Sequence, residues 1–182
     1  MKDFVRGNQL FSLCGLNCNL CPMFLSKYCL GCGNHNQSCK IAKCSLEHEK
    51  IEYCYECKEY PCKKYEGIDE FDSFISHRKQ KEHLEKAKTI GIDTYNSEQI
   101  EKREILNVLL SNYNDGRKKT FYCVAVNLLE LPVLKLLMNN VTTNKDFATW
   151  SDTDKCKFMY EAFMEKSKEV DIDFKLRKKK VV

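Results

Sequence analysis

The pattern of apolar and polar residues predicts helices through most of the chain beyond residue 67. Apolar residues at helical spacing predict a helix over Ile68–Ile90. Gly91 is expected to end this helix, because glycine readily adopts the left-handed backbone of a helix C-terminus. Asn96 or Ser97 is expected to cap a second helix that continues through Tyr113.

Further helices are predicted beyond a polar turn over residues 112–120, including a short segment that begins at Pro132 and runs through Met138. The stretch Phe121–Leu131 is apolar nearly all round, which is typical of a helix buried on every side. Ser151 or Thr153 is expected to cap a last helix that ends near Lys168. These helices would form the core of the C-terminal part.

The first 66 residues lack this long periodicity and contain turn-forming residues instead. Short helices are predicted over Met23–Tyr28 and Ser45–Tyr53, and the alternation over Ile172–Arg177 predicts a short strand or an extended arm. The expected fold class is mainly α, with at most one or two short strands. The expected domains are an irregular module over 1–66 and a helical region over 67–182, which would pack together or form one continuous domain.

The irregular module holds ten of the twelve cysteines in the chain. Their spacings include three C-x2-C pairs, and two residues between sulfurs form the tight turn that aims both thiolates at one metal ion. All ten are therefore predicted metal ligands: Cys14, Cys18, Cys21, Cys29, Cys32, Cys39, Cys44, Cys54, Cys57 and Cys62.

Zinc is the expected metal, at about two ions per chain, since four cysteines complete one tetrahedral site. An iron–sulfur cluster is the alternative cofactor, and disulfides or redox-active thiols are a further one. Residues 1–8 are broken by charge and by Gly7 before a secretory segment could form, so the reducing cytosol is expected. The sequence leaves open which cysteines share which ion.

Four histidines add little to this set. His35 and His48 lie inside the cysteine-rich stretch and are open candidates for coordination, although ten cysteines already exceed what two sites need. His77 and His83 fall on the predicted helix Ile68–Ile90 and are expected at its surface.

The net charge of the chain limits the classes of molecule that the protein is expected to bind. The formal net charge is +4, and two four-thiolate zinc sites would bring the protein to about neutral. A protein that is neutral overall has no general positive potential with which to bind nucleic acid. The candidate that remains is a basic tail, predicted to be a solvated end: Lys175, Arg177, Lys178, Lys179 and Lys180. No apolar run approaches the ~18 residues of a membrane span, so no membrane partner is expected.

One turn in the helical region is a candidate for binding a ligand. Asp115 and Arg117 flank Gly116, and Arg117 could grip an anion, but an ordinary ion pair is the preferred interpretation. Cys123 lies in an apolar helix and is expected to be a small buried side chain. No catalytic residue is predicted, and the balance is against an enzyme.

The cysteine pattern also resembles a known family. The stretches that carry it are Cys14-Gly15-Leu16-Asn17-Cys18-Asn19-Leu20-Cys21-Pro22, Cys29-Leu30-Gly31-Cys32, Cys39 to Cys44, and Cys54-Tyr55-Glu56-Cys57-Lys58-Glu59-Tyr60-Pro61-Cys62. They resemble the domain of unknown function 3795 family, as do Tyr113–Arg117, Phe121–Cys123 and Phe174–Lys179. The resemblance implies a cysteine-rich, zinc-binding prokaryotic protein and supplies no mechanism.

Three functions follow in order of preference. The first is a module with structural zinc that binds a protein partner, or less readily a nucleic acid. The second is an iron–sulfur or thiol-based redox or sensor protein. The third and weakest is a zinc enzyme with an open coordination position near Asp115 and Arg117. The oligomeric state is not predicted.

Overall fold

The computed structural model describes residues 3–34, 38–142 and 147–179. Within these residues the chain forms seven α-helices and no β-strand, which confirms the predicted mainly α fold class. The helices are α1 (Pro22–Leu25), α2 (Lys40–Glu47), α3 (Gln80–Ile90), α4 (Ile92–Asn112), α5 (Lys119–Leu128), α6 (Leu131–Thr142) and α7 (Asp152–Glu169). None of the helices in the described ranges has both the length and the apolar character required to cross a membrane.

The chain divides into two compact units. The first contains the residues up to Gln99 together with those from Leu176 onward, and the second contains Ile100–Lys175. All ten cysteines of the irregular module, α1 to α3 and the start of α4 belong to the first unit. The domain boundary predicted after residue 66 stays a prediction.

The core of the first unit joins the cysteine-rich loops to α3 and α4. The Phe11 ring lies 5.7 Å from the Tyr53 ring and 4.7 Å from the Tyr95 ring, measured between centroids. Tyr95 donates its hydroxyl to Asn17 Oδ1 at 2.9 Å, and the Asn17 amide lies 3.3 Å from His83 Nδ1. These contacts fix the loop that carries the first cysteines against the helices.

The helices expected over 68–90 and 45–53 are wrong in their boundaries. The helix predicted over Ile68–Ile90 begins only at Gln80, because the Asp72 carboxylate accepts a hydrogen bond from the His77 N–H at 2.7 Å and holds a non-helical turn. The helix predicted over Ser45–Tyr53 is instead α2, which ends at Glu47. Glu49 and Lys50 then adopt left-handed backbone with φ of 58° and 59°, which an α-helix cannot continue through.

Other expectations are confirmed. Gly91 follows α3 with a φ of 83°, and the predicted turn over 112–120 separates α4 from α5. Ser151 caps α7, since its Oγ accepts a hydrogen bond from the Asp154 N–H at 3.2 Å. By contrast, α4 begins at Ile92 rather than after Asn96 or Ser97.

The second unit packs around α5. Every residue from Tyr122 to Leu128 is buried, as the apolar pattern predicts. Aromatic rings surround this helix, with Phe121 4.8 Å from Tyr160 and Phe163 5.6 Å from Tyr122. The described segment 172–177 contains no strand.

Candidate metal centre

Four of the predicted cysteine ligands line one small cavity of the first unit. Its volume is about 20 Å³, and the sulfur-bearing residues in its wall are Cys44, Cys54, Cys57 and Cys62. They come from different local structures, because Cys44 lies on α2 whereas the other three belong to the following turns. A cavity of this size accommodates about one water molecule, so it is also of the order of a single metal ion.

Backbone turns position the last three of these cysteines. The Cys57 N–H donates to the Cys54 carbonyl at 3.1 Å, which closes a short 3-10 turn. The Cys54 N–H donates to the Leu13 carbonyl at 3.0 Å and ties this turn to the N-terminal loop. The C-x2-C spacing thus gives the tight turn that the sequence predicts.

Two polar neighbours affect the thiol groups of this set. Burial raises the pKa of Cys54 to about 12. A hydrogen bond from Tyr65 opposes the rise, whereas the charges of Cys14, Cys62 and Cys44 add to it. The Lys64 ammonium hydrogen-bonds to Cys44, and this bond raises the pKa of Lys64. A cation at this point would offset part of the negative charge of thiolate ligands.

A second set of cysteines lies around the loop that begins at Cys14. Burial raises the pKa of Cys14 to about 11. The Ser12 hydroxyl, which lies 3.3 Å from the Cys14 sulfur, opposes this rise, whereas the charges of Cys32 and Cys39 add to it. Burial also raises the pKa of Cys18, and the charge of Cys32 adds to this rise. The backbone N–H of Cys32 opposes the rise, because it donates a hydrogen bond to the Cys18 sulfur. Cys14 and Cys32 thus each interact with the other three cysteines of this set, which we call the second set: Cys14, Cys18, Cys32 and Cys39.

Cys21 and Cys29 form the remaining pair. Burial raises the pKa of Cys21, the backbone N–H groups of Phe24 and Met23 lower it, and the charge of Cys29 raises it. Cys29 is exposed, and its sulfur accepts a hydrogen bond from the Gly31 N–H at 3.4 Å. This is the glycine-supported turn expected of the C-x2-C pair that ends at Cys32.

Arg6 is a buried cation that the sequence analysis did not identify. Its side chain is 1% exposed, and its guanidinium donates to the carbonyl oxygens of Glu52 (2.8 Å) and Phe11 (2.9 Å). Burial raises the pKa of Cys32, but the charge of Arg6 and a hydrogen bond from it act in the opposite direction. Nothing local in the sequence indicates this role, since Arg6 lies 26 residues before Cys32.

Two histidines differ from expectation, because His77 precedes α3 rather than lying on it and His83 is buried. His48 Nδ1 lies 2.9 Å from the Cys44 carbonyl oxygen and 3.6 Å from the Cys44 sulfur, so it stays a candidate neighbour of the first set. His35 lies outside the described residues. His83 is buried, and its expected surface position is wrong because it packs against Tyr95 and Asn17.

The described side chains do not yet form a coordination shell. Across residues 3–34, 38–142 and 147–179, no group of three or more His, Cys, Asp or Glu side chains has the geometry to hold a metal ion.

The other candidate positions lie apart from these cysteines in sequence. Arg117 is paired with Asp115 at 3.1 Å and its side chain is 84% exposed, which is the ordinary surface ion pair expected from the sequence. Cys123 is buried, as predicted. Lys175 and the described residues 177–179 of the basic tail are exposed, and Lys180 lies outside the described residues.

Comparison with known proteins returns no match to a family model, to a curated protein or to a solved structure. The resemblance to the domain of unknown function 3795 family stays a prediction.

Proposed function

We propose that the segment 14–62 binds two structural zinc ions and that the module so formed binds a protein partner. The observation that carries the proposal is the convergence of Cys44, Cys54, Cys57 and Cys62 on one cavity of about 20 Å³. Four thiolates are the complete ligand set of a structural zinc site. Such an ion would cross-link α2 to the turns that follow it.

Charge and solvation fit this first site. Four thiolates and one zinc ion carry a net charge of about −2, which a buried apolar site does not tolerate alone. Lys64, hydrogen-bonded to Cys44, supplies a positive charge at the site. Because burial raises the pKa of Cys54 to about 12 in the free thiol form, zinc binding at neutral pH would release protons and strengthen with pH.

The second ion would be held by Cys14, Cys18, Cys32 and Cys39. This assignment rests on the charge interactions of Cys14 and Cys32 with the other cysteines of the set, and on Arg6, whose buried guanidinium is paired with the Glu52 carboxylate at 3.2 Å and also lies beside Cys32. Cys21 and Cys29 stay outside both sets and would be free thiols in the reducing cytosol, where we place the protein.

Four thiolate ligands around each proposed ion would leave no coordination position for a substrate, which favours binding over catalysis. The surface on either side of Cys29 supports an interaction role. Tyr28 is 79% exposed and Leu30 is 59% exposed, on either side of Cys29. Large apolar side chains with such exposure are candidates for a protein contact.

The test is elemental analysis, a visible spectrum and X-ray absorption on protein purified without oxygen. We expect about two zinc ions per chain, no absorbance near ~400 nm, and four sulfur ligands at about 2.3 Å around each ion. Iron with visible absorbance would overturn the zinc assignment in favour of a redox or sensor protein. A nitrogen or oxygen ligand at an open site would instead favour the enzyme, and absent metal with no free thiols would indicate disulfides.

A further inference from the structure

A serine and a histidine of the first unit form a hydrogen-bonded pair that the proposed metal sites do not use. Ser73 Oγ lies 2.9 Å from His77 Nε2, in the loop that precedes α3. The other ring nitrogen, His77 Nδ1, lies 3.2 Å from the Ile68 carbonyl oxygen. Because a carbonyl oxygen can only accept a hydrogen bond, Nδ1 carries the proton, and Nε2 of the neutral imidazole accepts from the Ser73 hydroxyl. The pair thus has the arrangement of a serine nucleophile and its general base, with the base oriented by a third group.

The Asp72 carboxylate holds this loop in place. Asp72 immediately precedes Ser73, and its side chain is buried. Asp72 Oδ1 accepts hydrogen bonds from the His77 N–H at 2.7 Å and from the Ser76 hydroxyl at 3.2 Å. Asp72 Oδ2 accepts another from the Arg177 N–H at 2.8 Å. A loop fixed at these points keeps the serine and the histidine in contact before a substrate arrives, as a preorganised site requires.

The surroundings of Ser73 suit an apolar acyl substrate. Ser73 is exposed, so a substrate can reach its hydroxyl from solvent. Phe71 and Phe74, on either side of Ser73 in the sequence, are exposed and offer apolar surface. The Phe74 N–H donates to no acceptor in the described part of the chain, which leaves it available to a substrate oxygen. The N–H of the residue after a serine nucleophile is one donor of the oxyanion hole in α/β-hydrolases, where it stabilises the negative oxygen of the tetrahedral intermediate.

We propose that Ser73 and His77 form a catalytic dyad that hydrolyses esters of small apolar carboxylic acids. Ser73 is the nucleophile, His77 is the general base and acid, and the Phe74 N–H stabilises the oxyanion. The Ile68 carbonyl oxygen positions the imidazole, and the rings of Phe71 and Phe74 contact the apolar acyl chain. This activity is additional to the proposed zinc function and does not depend on it.

Hydrolysis proceeds in two stages, and His77 carries one proton in each. In the first, Ser73 Oγ adds to the ester carbonyl carbon while its proton passes to His77 Nε2. The C–O bond to the alcohol then breaks, and the alcohol leaves with that proton. In the second, water adds to the acyl carbon on Ser73 while His77 takes one water proton, and Ser73 Oγ departs with it. The products are one carboxylic acid and one alcohol.

A sulfonyl fluoride and two activated esters test the proposal on the unmodified protein. Phenylmethanesulfonyl fluoride should sulfonylate Ser73 with loss of fluoride, and peptide mass spectrometry locates the label. p-Nitrophenyl hexanoate should release more than one equivalent of nitrophenol per chain, because water regenerates the serine. Its kcat/KM should exceed that of p-nitrophenyl acetate about tenfold, as for burial of about two methylene groups against the exposed phenylalanines.

Three variants assign the roles. S73A and H77A should each lower the hydrolysis of the hexanoate ester about 100-fold, which is within the usual contribution of a general base. Added imidazole should restore hydrolysis in H77A but not in S73A, and this restoration distinguishes a lost base from a damaged fold. The control S97A removes an exposed hydroxyl of the same unit that donates to a backbone carbonyl, and it should behave like the native protein.

Any of three results would overturn the proposal. One is the absence of the sulfonyl label from Ser73 in the native protein, which needs no variant to fold. Another is nitrophenol release that stops at one equivalent per chain. The third is hydrolysis that S73A lowers no more than S97A does, or that imidazole does not restore in H77A. Zinc content, measured on the same samples, reports separately on the proposed metal sites.

Discussion

The Asp72 carboxylate accepts a hydrogen bond from the backbone N–H of Arg177 at 2.8 Å, across 105 residues of sequence. In return, the Asp72 backbone N–H donates to the Arg177 carbonyl oxygen, also at 2.8 Å. The Arg177 guanidinium lies 3.7 Å from Asp72 Oδ1 and donates to the Asp69 carbonyl oxygen. Within the first unit, the segment from residue 176 is thus held by one backbone–backbone hydrogen bond and by the Asp72 carboxylate, whose side chain is 0% exposed.

The substitution D72N should destabilise the protein by about 2 kcal/mol at pH 7, because it leaves buried donors and two guanidinium groups without a charged partner. Burial alone would raise the pKa of Asp72, but hydrogen bonds from the Arg177 and His77 N–H groups and the charges of Arg78 and Arg177 outweigh it and lower the pKa. Because the pKa of Asp72 is lower in the folded than in the unfolded protein, its ionised carboxylate stabilises the fold at pH values above the unfolded pKa of ~3.9. This stabilisation is lost as the pH falls through the folded-state pKa.

Urea unfolding at several pH values measures this effect. The difference between D72N and the native protein should be largest at neutral pH and shrink below about pH 4. D3N, a neutralisation at an exposed position, serves as the control and should change stability little. A gap of equal size at pH 3 and pH 7 would contradict the charge-based account.

Replacing Arg6 by lysine should cost about 2–3 kcal/mol, although the charge is kept. Lysine cannot reproduce the planar guanidinium that donates to the Glu52 and Phe11 carbonyl oxygens, so buried acceptors would lose their partners. The matched control is R117K, at a side chain that is 84% exposed, where we expect a change within about 0.5 kcal/mol. Chemical unfolding followed by circular dichroism compares the two, and equal effects would show that the Arg6 contacts contribute nothing.

Zinc stoichiometry should distinguish ligand cysteines from the others. C57S is expected to lower bound zinc from about two ions to one, since three thiolates hold a structural ion poorly. C156S changes a cysteine of the second unit outside both proposed sets, and it should keep the full content. Unchanged zinc in C57S would exclude Cys57 from the first site.

Chelation should unfold the first unit before the second. Each structural zinc contributes on the order of 10 kcal/mol of apparent binding free energy, which is folding free energy for a segment with little regular structure. Hydrogen exchange after metal removal should therefore rise first over 14–62, while α5 keeps its protection. Uniform loss of protection, or none, is the result that would oppose a structural role for the metal.

Local signals in the sequence correctly predicted several boundaries. The glycine at Gly91 and the capping hydroxyl at Ser151 each act through their own or adjacent backbone groups, so short windows of sequence contain the information. The apolar character of α5 likewise predicted its burial.

The failures arise where distant residues decide local structure. Apolar spacing over Ile68–Ile75 fits a helix, yet Asp72 bonds to the nearby His77 N–H and to the distant Arg177. His83 is buried because Asn17 offers it a polar neighbour 66 residues earlier. Similarly, the ten cysteines are recognisable from their spacing in the sequence, whereas the proximity of Arg6 to Cys32 depends on the tertiary fold.

The second unit allows a prediction that is independent of metal. Phe163 is fully buried, with its ring 5.6 Å from Tyr122 and 6.5 Å from Phe174. F163A should destabilise this unit by about 3–5 kcal/mol, because it removes apolar contacts and leaves a cavity. The control L136A truncates a side chain that is 54% exposed in the same unit and should cost less than about 1 kcal/mol. Thermal unfolding in chelator compares both, and a loss in L136A as large as that in F163A would contradict the core described around α5.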